Sequence, residues 1–137
     1  MLAVRSATPA DAGAVVDLWR TAAGPTHLPG GRAEVERLVA RDPAALLLAE
    51  DDGELVASLI VGWDGWRCHL YRLAVEPSHR RHGVASRLVD AAEARARSLG
   101  ARRLDAQVNH ENGDGIAFWS NLGFVADADD RRWCRSV

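Results

Sequence analysis

Between residues 73 and 88 a strand pattern runs without a linker into a basic, glycine-bearing loop, and the loop runs straight into a helix. Leu73, Ala74 and Val75 close the strand, and Pro77 stops it. Arg80, Arg81, His82 and Gly83 make the loop. Val84, Leu88, Val89, Ala92, Ala96 and Leu99 then recur at helical spacing. The first turn of such a helix has unpaired N–H groups and a partial positive charge. That is a site for an anion, and phosphate suits it. Gly83 and, nearly as well, Ala85 let a ligand approach the backbone. The segment is not a Walker loop, because GxxxxGK[ST] is absent, nor a dinucleotide fingerprint, because GxGxxG is absent. Taken alone it also reads as an ordinary solvated helix start.

The flanking sequence supplies the rest of a mixed α/β sheet. Residues 2–7 alternate as an edge strand. Thr8, Pro9 and Asp11 open a helix striped by Val15, Val16, Leu18 and Trp19. Residues 24–31 hold three Gly and two Pro, so they form a loop, and a short helix follows over 32–41. Residues 44–50, 55–63 and 67–75 read as an antiparallel meander with turns at Asp52-Gly53 and Asp64-Gly65. After the helix ending at Leu99-Gly100 come a strand over 103–108, a helix over 112–121, and two last strands around the acidic turn 127–130. No repeat, linker or low-complexity segment interrupts this order, and residues 1–137 read as a single domain.

Composition removes several alternatives. The chain has 137 residues and a formal net charge of −2, and all 17 basic side chains are Arg. The arginines at 80, 81, 87, 95, 97, 102 and 103 scatter round a helix rather than form one stripe, so a nucleic-acid partner is not expected. No apolar run approaches the ~20 residues of a membrane span. The start of the chain lacks a signal peptide's charged and apolar regions, so a cytoplasmic location is expected. Cys68 and Cys134 read as two free, buried thiols, and no metal-ligand spacing occurs among the histidines.

Arg80-x-x-Gly83-x-Ala85 fits the R/Q-x-x-G-x-G/A signature of the GNAT superfamily of acetyl-CoA-dependent N-acyltransferases. The run from Leu73 through Pro77 to Leu88 resembles that family more fully. So does Asn112-x-x-Gly115-x-x-Phe118-Trp119-x-x-Leu122-Gly123-Phe124. The resemblance implies a GNAT-like fold: a mixed, mostly antiparallel sheet with a central splay between two strands and helices on both faces. It implies acetyl-CoA as cosubstrate and transfer of its acetyl group to a primary amine by direct attack in a ternary complex. Backbone groups of Leu73, Ala74 and Val75 would meet the pantetheine arm. Arg80 and the N–H groups of Arg81, His82, Gly83, Val84, Ala85 and Ser86 would hold the pyrophosphate. Asn112 would hydrogen-bond the pantetheine arm and Trp119 would wall the thiol site.

The reaction needs a neutral amine, a donor for the oxyanion and an acid for the leaving thiolate. In the family the donor is an N–H of the splayed strand, here at or near Leu73. The family's acid is a Tyr on the last helix, but that position is Trp119, whose indole cannot release a proton near neutrality. Tyr71 is the chain's only tyrosine and so the only candidate for a Tyr acid. Of the family's two Glu base positions, one falls on His69 and the other on Gln107, which cannot be a base. An imidazole titrates near pH ~6.5 and can act as a base. Alternation places His69, Tyr71 and Leu73 on one face, barring a bulge. Trp63 and Trp66, which flank Asp64-Gly65, and the loop 24–31 are candidates for the acceptor wall. The runner-up function is a CoA-binding regulatory module with little turnover. The acceptor is not legible, and the chain is expected as a monomer or homodimer.

Overall fold

The computed structural model describes residues 1–22 and 30–137, in two compact units, Met1–Gln107 and Val108–Val137. In the first unit β1 (Leu2–Ser6), β2 (Leu46–Asp51), β3 (Glu54–Trp63), β4 (Cys68–Val75) and β5 (Leu104–Ala106) form one sheet in that order. Neighbours are antiparallel except for the parallel pair β4–β5. Asp52 and Gly53 take φ of 50° and 84°, the left-handed pair that a two-residue hairpin needs, and so join β2 to β3.

The helices cover the sheet because strand side chains alternate. Leu46, Leu48, Ile60 and Ala74 share one apolar cluster with Val15, Leu18 and Trp19 of α1 (Ala12–Ala22) and with Val35 and Val39 of α2 (Arg32–Arg41). Leu47, Ala49, Leu59 and Val61 turn to the other face and are also buried. There α3 (Val84–Ser98) lays its buried stripe of Val84, Leu88, Val89, Ala92 and Ala96. Arg95 of α3 pairs both nitrogen-to-oxygen contacts of one guanidinium group with Asp42, at 2.8 and 2.7 Å, and also donates to the Val61 carbonyl. That ties α3 to the turn between α2 and β2.

Two irregularities shape the sheet's centre. Ile60 faces Tyr71, but Ser58 faces Ala74, so β4 carries one residue more than β3 between these pairs. The extra residue makes a bulge at Arg72, whose φ is 57°. The β4–β5 pairing covers only Cys68–Leu70 against Leu104–Ala106, and its last bond runs from Gln107 N–H to the Leu70 carbonyl at 3.2 Å. β5 ends at Ala106, and the pairing with β4 ends with it.

The second unit departs from expectation. It holds α4 (Gly113–Asn121), but residues 122–137 form no strand, where two were expected. Alternation gives a segment a strand-like pattern, but its hydrogen bonds must come from a partner. Among the described residues this segment pairs with no strand, and Val125 and Trp133 are 90% and 92% exposed. Cys134 is exposed rather than buried, while Cys68 is buried as expected.

Candidate active site

The loop from Pro77 to Gly83 is wound to aim backbone N–H groups outward. A 3₁₀ turn, Pro77–His79, follows β4, and Arg81 and Gly83 then take φ of 64° and 77°. Gly83 is the N-cap of α3, and no side chain caps that end. The first bond back into the loop is from Arg87 N–H to the Gly83 carbonyl, at 3.1 Å. Residues 80–83 form a turn, and no backbone hydrogen bond of good geometry runs from the N–H groups of Arg81 to Ser86 to another described residue. A Cβ added at Gly83 meets no atom within 4 Å, so open space lies over the cradle. Gly83 therefore serves two needs at once, a left-handed φ and an unobstructed approach.

Arg80 is placed differently from expectation. Its Nε donates to the Val75 carbonyl and its Nη2 to the Ala22 carbonyl, both at 3.2 Å. The guanidinium braces the end of β4 against the end of α1, and the cradle's donors are backbone groups.

Glu76 N–H donates to the Val56 carbonyl on β3 at 2.8 Å. Strand backbone alternates its polar groups every residue. The N–H and C=O of Leu73 and Val75 therefore point away from β3, on the side of β4 that β5 pairs only as far as Leu70. One of the four groups, the Val75 carbonyl, already accepts from Arg80. The bulge also corrects the alternation reading. Register pairs His69 with Gly62, Tyr71 with Ile60 and Ala74 with Ser58, so His69, Tyr71 and Ala74 share the α1 face and Leu73 turns to the other.

His69 sits between two carboxylates. Its Nε2 is 3.9 Å from Asp64 and its Nδ1 is 3.9 Å from Asp105, with the ring one-third exposed. These spacings exceed a direct hydrogen bond and suit one bridging water or a small closure. Asp64 is also held by the backbone: its Oδ1 accepts from the N–H groups of Arg67 and Trp66, which lowers its pKa. Tyr71 is part-exposed and its ring lies along Gly62, where a Cβ would stand 3.3 Å from it. Trp66 is exposed at the hairpin tip and Trp63 is half-buried. His27 and most of the 24–31 loop lie outside the described residues. Among the described residues, no group of three His, Cys, Asp or Glu side chains is arranged to hold a metal.

In the second unit Asn112 caps α4, its Oδ1 accepting from Gly115 N–H at 3.0 Å. A Cβ at Gly115 would stand 2.5 Å from the Asn112 amide, so the glycine makes room for the cap. Trp119 is buried between Phe118 and Phe124 in edge-to-face contacts, with centroids at 5.1 and 4.9 Å.

Two residues of the α1 face, Ser58 and Arg72, were absent from the sequence expectations. Buried Ser58 accepts from Trp19 Nε1 at 2.8 Å and donates to the Arg72 carbonyl at 3.3 Å, pinning the bulge. Arg72 stacks over the Trp19 ring at 4.8 Å. A polar residue inside the apolar run of β3 was the one available sign of Ser58. Arg72 had none, because only the bulge turns it toward α1.

A mixed five-stranded sheet with one parallel pair, β4–β5, and a glycine-bearing loop that leads from β4 into α3 define the class of fold. The chain belongs to the acetyltransferase (GNAT) family, whose sequence model matches residues 13–124. An acetyltransferase of Pectobacterium atrosepticum is 30% identical over 111 residues, 81% of this chain and 79% of that protein. One from Sodalis glossinidius is 32% identical over 91 residues, 66% of this chain and 64% of that protein. Ard1 of Thermoplasma volcanium has the same fold, with a TM-score of 0.82 at 23% identity over 93% of this chain and 84% of that one. Salmonella typhimurium yncA, solved with acetyl-CoA, superposes with a TM-score of 0.76 at 20% identity over 93% of this chain and 81% of that one. Among the described residues no helix is long and apolar enough to cross a membrane.

Proposed function

We propose that the chain, acting as one domain over residues 1–137, transfers the acetyl group of acetyl-CoA to a primary amine by direct attack in a ternary complex. The observation that carries this reading is the run of N–H groups from Arg81 to Ser86 without a well-formed hydrogen bond, beside open space at Gly83. Such a cradle fits a pyrophosphate, because its donors and helix dipole are aimed before any ligand arrives. The acetyl-CoA in the related Salmonella protein supports the same ligand here. Acetyl-CoA brings an activated thioester; the remaining chemistry falls to this chain's residues.

Each residue then has a task. The polar backbone groups of Leu73 and the N–H of Val75 bind the pantetheine amides as a neighbouring strand would. Leu73 N–H meets the charge that develops on the thioester oxygen. His69, steadied by Asp64 and Asp105, takes the proton from the amine. Tyr71, next on the same face, is the candidate donor to the departing thiolate. Asn112 and Trp119 are proposed against the pantetheine arm and thiol from family resemblance alone. Absence of a basic stripe supports a small-molecule or peptide acceptor rather than nucleic acid, and a cytoplasmic enzyme is the corresponding proposal.

Paired variants at one position test the cradle. Gly83→Ala and Gly83→Glu both force a side chain into a left-handed φ, at about 1–2 kcal/mol. Only Glu adds negative charge over the N–H groups. Calorimetry should show acetyl-CoA binding in the parent, a modest loss in Gly83→Ala and no measurable binding in Gly83→Glu. Equal losses in both variants would remove the cradle from the ligand site. A binding parent that turns over no amine in a broad screen would favour the regulatory-module reading.

A further inference from the structure

Arg72 carries three features that rarely meet in one surface-strand arginine. Its backbone holds a left-handed φ of 57°, a conformation that side-chain-bearing residues adopt at a cost. Its guanidinium carbon sits over the Trp19 ring, 4.8 Å from the ring centroid. Its Nη1 is buried and has no hydrogen-bond partner among the described residues. The neighbouring nitrogen, Nη2, faces Gly30, where a Cβ would come within 3.3 Å. The acid that acts on this charge from α2 is Glu34, whose Oε1 takes the Gly31 N–H at 3.4 Å.

A purely structural cation–π brace requires the stacking alone. It does not require a charged group with an empty, dry donor, which costs more than a neutral unpaired group. Nor does it require the bulge, which the Trp19–Ser58–Arg72 hydrogen-bond chain holds in place. The cost is understandable if a partner arrives with the second substrate. The position agrees: Arg72 lies between Tyr71 and Leu73, just past the last β4–β5 pair at Leu70.

We infer that Arg72 recognises the acceptor, and that the acceptor is an amine which also bears a carboxylate. The inference rests on the acetyl-transfer reading above and names the class of its second substrate. A planar carboxylate meets a guanidinium fork in its own plane, and the half-buried Arg72 side chain leaves one nitrogen of that fork without a partner. Lysine could not replace the fork. A phosphate would bring a second charge to desolvate in the same partly buried place.

The test is a set of matched acceptors. Glycine, β-alanine, γ-aminobutyrate and the α-amino acids are each compared with their carboxamides, following release of CoA thiol. The acids should exceed the amides in kcat/KM by ~10²-fold or more for at least one chain length. Arg72→Met should bring that ratio to within about threefold of one while acetyl-CoA affinity, read by calorimetry, stays unchanged. Arg72→Lys should fall between. If Arg72→Met does not fold, the parent's acid-to-amide ratio decides alone. Amides as good as acids, a ratio that survives in Arg72→Met, a preference for phosphorylated amines, or no turnover of any carboxylate-bearing amine would each overturn the inference. Calorimetry keeps the two readings apart. Loss of acetyl-CoA binding in the parent sinks the transfer reading, whereas binding without acid preference sinks only the role of Arg72.

Discussion

An imidazole between two carboxylates, each 3.9 Å away, can be oriented by one and aimed by the other. His69 reaches that setting from β4, with Asp64 in the preceding turn and Asp105 on β5. The sequence named the histidine because resemblance put a base at that register. It did not name Asp105, because only the parallel pairing of His69 with Asp105 brings them together. If His69 removes the amine proton, His69→Ala should lower kcat by ~10²–10⁴ and leave acetyl-CoA affinity in place. The acidic limb of the pH–rate profile should go with it. A variant that keeps the limb would assign proton removal to water or to the amine itself.

At the scale of elements, local chemistry settled most boundaries. The loop-to-helix junction at Gly83, the Asp52-Gly53 hairpin and the start of the first helix all lie where residue type demanded them. That helix start also joins two strands. Thr8 N–H donates to Asp11 at 2.7 Å, Arg5 on β1 pairs with Asp11 at 2.8 and 2.9 Å, and Arg5 also pairs with Glu50 on β2. The Arg5 guanidinium, helped by Thr8, holds the Asp11 carboxyl well below the usual carboxylate range. A lowered folded-state pKa stabilises at pH above the unfolded value, about 3.9, and the gain is lost as pH falls below it. Asp11→Asn should cost about 1–2 kcal/mol at pH 7. Thermal melts from pH 7 to pH 2 should then show the two proteins converging below pH ~4. A constant gap across that range would mean that Asp11 acts through shape rather than charge.

For the molecule as a whole, Cys68 reports the integrity of the sheet. It lies in β4, fully buried, and burial raises its thiol pKa, whereas Cys134 is exposed. A chromogenic disulfide reagent should titrate one thiol per native chain at once, and the second only as denaturant opens the sheet. Two prompt thiols would mean that β4 opens readily. By itself the sequence determined the element order through β4 and α3, the antiparallel meander, the loop-to-helix junction at Gly83 and the family to which they belong. Each of these follows from spacing and turn chemistry within a few residues, which local sterics decide. Tertiary structure decided the rest. The bulge turned Leu73 away from His69 and Tyr71 and set Arg72 against Trp19. Arg80 went to carbonyl groups of two other elements. The expected last strands did not form. All of these depend on which distant segment supplies a hydrogen-bond partner and in what register, and alternation along one strand carries no record of that.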